Sequence, residues 1–164
     1  MAIIRWSEAM SVGVPRLDRD HRVLIGLINR LGGERAAQPD DPVIGEVLQA
    51  LVAYTAFHFA REEQVMEACG FAELETHREE HKLLAAEVSG LHSRFLRARQ
   101  SVSHDDLLRF LTDWLNHHIL LQDMAYRPLV GDGRDAERVA LAFGEFNVEG
   151  IASRAGVGDL IKAD

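Results

Sequence analysis

Two histidines interrupt an apolar seam between Leu74 and Phe95, and this seam constrains the fold more than any other feature of the chain. The seam advances in alternating steps of three and four residues through Leu74, His77, His81, Leu84, Val88, Leu91 and Phe95. Such spacing places the side chains on one face of an α-helix that packs against other helices. A histidine at a seam position is buried, so its ring nitrogens need partners inside the core. The seam predicts a helical protein with a polar site in its interior.

Start and stop signals divide the chain into four helices. Gly32-Gly33 ends the first helix, while Asp41 followed by Pro42, and later Ser103, supply N-caps. The predicted helices run from about Asp18 to Leu31, from Asp41-Pro42 to near Cys69-Gly70, from Glu73 to Ala98, and from after Ser103 to before Pro128. Short connections make neighbouring helices antiparallel. We therefore predict an all-α, antiparallel up-down-up-down four-helix bundle over residues 1–130.

Residues 131–164 form an extension beyond this bundle. Apolar spacing predicts an additional C-terminal helix from Arg134 to Arg154, on the evidence of Val139, Leu141, Ala142, Phe143, Phe146, Val148 and Ile151. We expect this fifth helix to pack on the bundle or to cap a dimer, and not to form an independent domain. A signalling tether is the alternative interpretation.

Charge and composition narrow the range of partners. The net charge is -8 and the basic residues are scattered, which argues against a nucleic-acid or anionic-membrane surface. Residues Met1 to Met10 lack a basic stretch followed by a long apolar run, and no later segment approaches the length of a membrane span. We expect a cytoplasmic protein with no membrane or nucleic-acid partner, existing as a monomer or a weak homodimer.

Seven ionisable side chains converge at one end of the predicted bundle when its helices run antiparallel. They are His21, His58, Glu62, His77, His81, His118 and Asp123. Burying so many would cost several kcal/mol each unless a metal ligated them. Cys69 is the only cysteine, so the ligands must be nitrogen and oxygen. Five imidazoles and two carboxylates suit iron and exceed the needs of one ion, which predicts a two-metal site.

One spacing within this set does not fit a regular helix. His118 and Asp123 are five residues apart, which places them about 140° apart around a regular α-helix and would turn Gln122 inward instead. We predict a π-bulge between them that slips the register by one residue and aims both at the metals. The alternative is an ordinary helix with Asp123 in solvent.

Other polar residues near the seven are expected to lie outside the site. His92 and His104 lie too far along their helices, and we interpret them as surface residues. His117 is turned by about 100° from His118, which continues the apolar seam of the last helix, so we prefer His118 as the ligand. By the same rotation, Glu63 is expected to be solvated.

The segments that contain the seven residues form a sequence pattern along the chain. It comprises Trp6-Ser7, Ser11-Val-Gly-Val14, Leu17-Asp-Arg-Asp-His21, His58-Phe-Ala-Arg-Glu62, His77-x3-His81 and Trp114-Leu-Asn-His-His118-Ile119-x3-Asp123. Over about residues 3 to 130 this pattern resembles the hemerythrin family, and its bacterial branch, the bacteriohemerythrins, in particular. The resemblance implies two iron ions, one bound by His77, His81 and His118 and the other by His21 and His58. It also implies that Glu62, Asp123 and an oxo or hydroxo group bridge them.

The function implied by this resemblance is reversible binding of dioxygen at the iron with an open position, with interconversion of Fe2+ and Fe3+. Such a protein stores, transports or delivers oxygen to an oxygen-consuming client and is not an enzyme, although weak oxidase or peroxidase activity is not excluded. Leu24, Leu115 and Ile119 are candidates to line a dry oxygen pocket. Two alternatives stay open: an oxygen or redox sensor module, and a di-iron enzyme that acts on peroxide or nitric oxide.

Overall fold

The computed structural model describes residues 3–33 and 41–146, and this part of the chain is helical and contains no strand. The helices are α1 (Pro15–Leu31), α2 (Pro42–Ala68), α3 (Leu74–Arg97), α4 (His104–His117) and α5 (Arg134–Ala142). Helix α4 continues into a π-helical turn (His118–Gln122) and a short 3-10 turn (Asp123–Ala125). The predicted all-α bundle with an additional C-terminal helix is confirmed.

The helix ends follow the local signals in the sequence. The Asp41 carboxylate accepts a hydrogen bond from the Val43 N–H at 2.9 Å, and Pro42 occupies the first helical position of α2. The Ser103 hydroxyl accepts from the Asp106 N–H at 3.3 Å and caps α4. These side chains satisfy N–H groups that have no partner within the first turn of a helix, which is why such residues fix helix starts.

Helix α2 forms the centre of the bundle, with α1 and α3 packed beside it. Apolar side chains such as Leu24, Leu48 and Leu111 make the main core between the first four helices. A second, smaller apolar cluster surrounds Tyr126 and includes Ala136 and Ala140 of α5. Helix α5 therefore packs on the bundle through the small side chains of one face.

The fifth helix is shorter than the sequence predicted. It ends at Ala142 instead of continuing towards Arg154, and Gly144 has a left-handed backbone with a φ of 103°. Glycine adopts that conformation readily and commonly terminates helices. Leu141 and Phe143, which the prediction placed on the apolar face, are exposed. The rest of the predicted helix, residues 147–154, lies outside the described residues.

Helix α2 is long and apolar enough to cross a membrane by length and composition, with a mean hydropathy of 1.4 in its most apolar stretch. The expectation that no segment approaches such a length was wrong on this criterion. However, half of that stretch is buried inside the bundle. The helix also buries His58, Arg61 and Glu62. Because a buried core helix passes the same test, α2 is weak evidence for membrane insertion.

Candidate metal centre

The seven predicted side chains meet inside the bundle, and each of them is at most 3% exposed. Four helical segments contribute them: α1 supplies one histidine, α2 a histidine and a glutamate, α3 two histidines, and the end of α4 the last histidine and the aspartate. In that order they are His21, His58, Glu62, His77, His81, His118 and Asp123. The antiparallel arrangement thus brings residues more than a hundred positions apart to one level of the core.

The π-helical turn brings Asp123 into this cluster, as the five-residue spacing predicted. The Asp123 N–H donates to the carbonyl of His118, five residues earlier. Its carboxylate is fully buried, and Oδ1 lies 3.1 Å from the His118 Nε2. Gln122 does not replace it: the Gln122 Oε1 accepts from the His118 Nδ1 at 2.6 Å. The extra residue in the turn therefore lets both His118 and Asp123 face the centre.

The two oxygens of Asp123 face different histidines. Oδ2 lies 3.3 Å from the Nε2 of His21, whereas Oδ1 lies 3.3 Å from the Nε2 of His77 and 3.1 Å from that of His118. A carboxylate that turns one oxygen to each of two nitrogen groups has the arrangement required to bridge two cations.

Glu62 occupies the middle of the cluster. Its Oε2 lies 3.3 Å from the Nε2 of His81 and 3.7 Å from the Nε2 of His58. Its Oε1 accepts a hydrogen bond from the Tyr126 hydroxyl at 2.7 Å. Two groups of side chains have ligand atoms within 4.8 Å of one another, and Glu62 belongs to both. The larger group is Glu62, His77, His81, His118 and Asp123, and the smaller is His21, His58 and Glu62.

Many polar atoms in this cluster are buried without a hydrogen-bond partner. They include the Nε2 atoms of His21, His58 and His77, the Oε2 of Glu62 and both Asp123 oxygens. Each unsatisfied buried group costs about 1–3 kcal/mol. The Nε2 atoms of His81 and His118 also face each other at 3.2 Å. A set of nitrogen and oxygen lone pairs aimed at a common interior is satisfied by bound cations, so the residues present fit a metal centre.

Both carboxylates are held in their anionic form. Burial acts to raise the pKa of Glu62, but the charge of His58 and the nearby rings of His118 and His81 outweigh it and hold this pKa well below the usual value. Burial and the charge of Glu62 act to raise the pKa of Asp123, but the charge of His118 and the close approach of His21 and His77 lower it to about 2. Anionic carboxylates are the form that binds cations.

Comparison with known proteins agrees with this geometry. Residues 12–130 match the domain model of the hemerythrin HHE cation-binding family. The chain belongs to the hemerythrin family. A bacteriohemerythrin of Stenotrophomonas maltophilia is 32% identical over 130 residues, which cover 79% of this chain and 83% of that protein. A bacteriohemerythrin of Methylococcus capsulatus is 33% identical over 129 residues, covering 78% and 97%.

The likeness extends to solved hemerythrin structures. A crystal structure described as wild-type hemerythrin superposes with a TM-score of 0.70 at 31% identity, and covers 79% of this chain and 98% of that one. The family match, over residues 12–130, contains all seven residues of the cluster. Helix α5 lies beyond the residues matched by the family.

Three side chains contact the Nδ1 atoms of histidines in the hemerythrin centre, a role that the sequence analysis did not assign to them. Asp20 lies 3.3 Å from the Nδ1 of His58, Glu63 lies 2.8 Å from the Nδ1 of His81, and Gln122 bonds the Nδ1 of His118. A partner on Nδ1 fixes the ring and directs Nε2 towards the metal. Glu63 was expected to be solvated rather than a ligand: it lies outside both ligand groups, but its side chain is only 24% exposed and contacts His81, so it is not solvated.

One feature of the sequence could have indicated these partners of the histidines. Asp20, Glu63 and Gln122 each lie next to a member of the cluster in the sequence. A residue one position along a helix is turned by about 100°, so Asp20 and Glu63 can each reach the ring of a histidine on a neighbouring helix, whereas Gln122 reaches His118 four residues earlier in its own segment.

The three remaining histidines lie outside both ligand groups. His117 is exposed, and His92 is half-buried on α3. His104 donates from Nε2 to the carbonyl of Leu31 at 2.7 Å and so ties α4 to the end of α1. The preference for His118 over His117 agrees with this placement.

Replacing Tyr126 with phenylalanine is expected to weaken metal binding by about tenfold or more, because the hydroxyl is the partner that orients Glu62. The ring would stay in the small apolar cluster, so the bundle should fold. Competition with a chelator measures the affinity. An unchanged affinity in Tyr126→Phe would show that the hydroxyl does not orient the carboxylate.

Proposed function

We propose that this protein binds dioxygen reversibly at a di-iron centre and acts in oxygen storage, transport or delivery rather than in catalysis. The observation that carries the proposal is the buried set of five imidazoles and two carboxylates in two overlapping ligand groups, in which three of the imidazoles and both carboxylates have oxygen or nitrogen atoms without a hydrogen-bond partner. Membership of the hemerythrin family supports iron as the metal and dioxygen as the ligand.

The donors are unequally divided between the two proposed positions. We assign His77, His81 and His118 to one iron and His21 and His58 to the other. Glu62 and Asp123 would bridge them, with an oxo or hydroxo group as a third bridge. The second position has one nitrogen donor fewer, which leaves room for an external ligand. When bound, the iron pair would supply the electrons for reversible dioxygen binding.

Apolar and aromatic side chains surround the cluster. Leu24, Leu115 and Ile119 are buried in the main core, and we propose that they line the dioxygen pocket. The Phe59 ring stacks on His81 at a centroid distance of 3.9 Å, and the Trp114 ring stacks on His118 at 5.6 Å. An apolar shell limits access of water and protons, which favours release of intact dioxygen over release of peroxide.

Metal analysis with visible spectroscopy tests the proposal. Protein reconstituted with Fe2+ under anaerobic conditions should contain about two iron ions per chain, as five imidazoles and two carboxylates require. It should develop a visible band in air and lose it under vacuum over repeated cycles. Irreversible conversion to the ferric form in the first cycle would instead favour a sensor or redox enzyme. Failure to bind iron would contradict the di-iron assignment itself.

A further inference from the structure

A buried guanidinium lies one residue before Glu62 and is not required by the ligand set. Arg61 is 1% exposed, and its Nη1 donates to both oxygens of Asp20, at 2.9 and 3.0 Å. Asp20 also accepts from the Tyr54 hydroxyl at 2.8 Å and contacts the His58 Nδ1 at 3.3 Å. The Asp20 carboxylate that orients His58 is therefore itself held in place by Arg61.

The other end of this guanidinium is bound by the segment that follows α5. The Arg61 Nη2 donates to the carbonyl of Gly144. We name residues 143–146 the strap. The rings of Phe143 and Phe146 each lie 5.3 Å from the ring of Phe57, and the Arg61 guanidinium lies over the Phe57 ring at 4.5 Å. The strap therefore closes the outer side of the buried Asp20–Arg61 pair.

Polar contacts with α1 attach the strap and α5 to the bundle. The guanidinium of Arg16 pairs with Glu145 at 2.8 Å, and the Arg16 N–H donates to Glu137 of α5 at 2.8 Å. The strap lies beyond residues 12–130, which match the family. The strap therefore lies outside the matched bundle but is connected to His58 through Arg61 and Asp20.

We propose that Arg61 is a positioning residue for His58, and that it couples docking of the strap to metal binding at the His21 and His58 position. This inference rests on the proposed di-iron function. The Nε of Arg61 is buried without a partner, so the hydrogen bonds to Asp20 and Gly144, together with the Phe57 ring, compensate for burying its charge.

Undocking the strap would expose Arg61 to water, weaken its hold on Asp20 and free the His58 ring to turn. Because coupling between two binding events is reciprocal, metal at this position also stabilises the docked strap. The strap thereby regulates the affinity for the metal ion at the His21 and His58 position.

Gly144→Val tests the coupling through a change of backbone conformation. Gly144 has a φ of 103°, which a β-branched residue rarely adopts, and a Cβ at this position would meet no atom within 4 Å, so we expect valine to change the direction of the carbonyl. Gly70→Val is the matched control, because Gly70 also has a positive φ, of 71°, and an open Cβ position, but does not contact Arg61. Arg61→Lys is the second variant, since one ammonium can pair with Asp20 but cannot fork to the Gly144 carbonyl as well.

Anaerobic Fe2+ titration against a chelator should show that one of the two ions binds about tenfold more weakly in Gly144→Val and Arg61→Lys, while Gly70→Val matches the wild type. Hydrogen exchange over residues 134–146 should slow when Fe2+ is added to the wild type, and respond less in the two variants. Unchanged affinities together with iron-independent exchange would overturn the coupling. If the wild type binds two Fe2+ ions but no dioxygen, the oxygen-binding proposal fails, while the iron affinities and the hydrogen exchange still decide the coupling.

Discussion

Glu62→Ala is expected to lower the affinity for iron at both positions by more than about 100-fold, so that the purified variant contains almost no iron. Glu62 belongs to both ligand groups, and its Oε2 is buried without a hydrogen-bond partner. Loss of an outer partner of a ligand already costs about 10-fold to 100-fold in metal affinity. Loss of a shared anionic ligand should cost more, because it removes a donor from each ion at once.

Iron content after anaerobic reconstitution measures this loss, and Glu67→Ala supplies a control on the same helix. Glu67 is exposed and pairs with Arg78 at the surface at 3.2 Å, so its replacement should leave the iron content unchanged. Circular dichroism of both variants checks that the bundle has folded. A folded Glu62→Ala protein with the wild-type iron content would show that Glu62 is not the shared ligand.

Local chemistry accounts for what could be predicted of the bundle. The seam that contains His77 and His81 has the period of a packed helix, and Asp41 and Ser103 are residues whose side chains satisfy the first N–H groups of a helix. Their positions depend on neighbours within a few residues. The π-helical turn before Asp123 was also predictable, because a five-residue spacing between two inward side chains contradicts a regular helix.

The outer partners of the histidines depend on packing between helices. Whether Asp20 reaches His58, or Glu63 reaches His81, is decided by the rotation of one helix against another, and the sequence specifies that rotation only through the whole core. The end of α5 could not be predicted for a different reason. The apolar residues after Val139 are spaced closely enough to suggest a longer helix, but Gly144 adopts a left-handed conformation and its carbonyl oxygen accepts a hydrogen bond from Arg61.

Deleting Leu121 is expected to leave iron binding intact, whereas deleting Asn116 is expected to abolish it. Leu121 lies in the π-helical turn and is 63% exposed. Removing it places Asp123 four residues after His118, and residues four apart share one face of a regular α-helix. The turn can then close as an ordinary α-turn, with both side chains still directed inward.

Asn116 lies in the regular part of α4, before the turn. Its removal rotates every later residue by about 100° relative to the buried residues before it, such as Leu111, so His118 and Asp123 would leave the centre together. Iron content and circular dichroism of the two deletion proteins distinguish the effect of helical register on iron binding from the effect of helix length. Each protein has lost one residue from the same helical segment, so only the register differs. If the Leu121 deletion folds but binds no iron, the π-helical turn must do more than correct the register. The contact between Gln122 and the His118 Nδ1, which the deletion also changes, would then be required for iron binding.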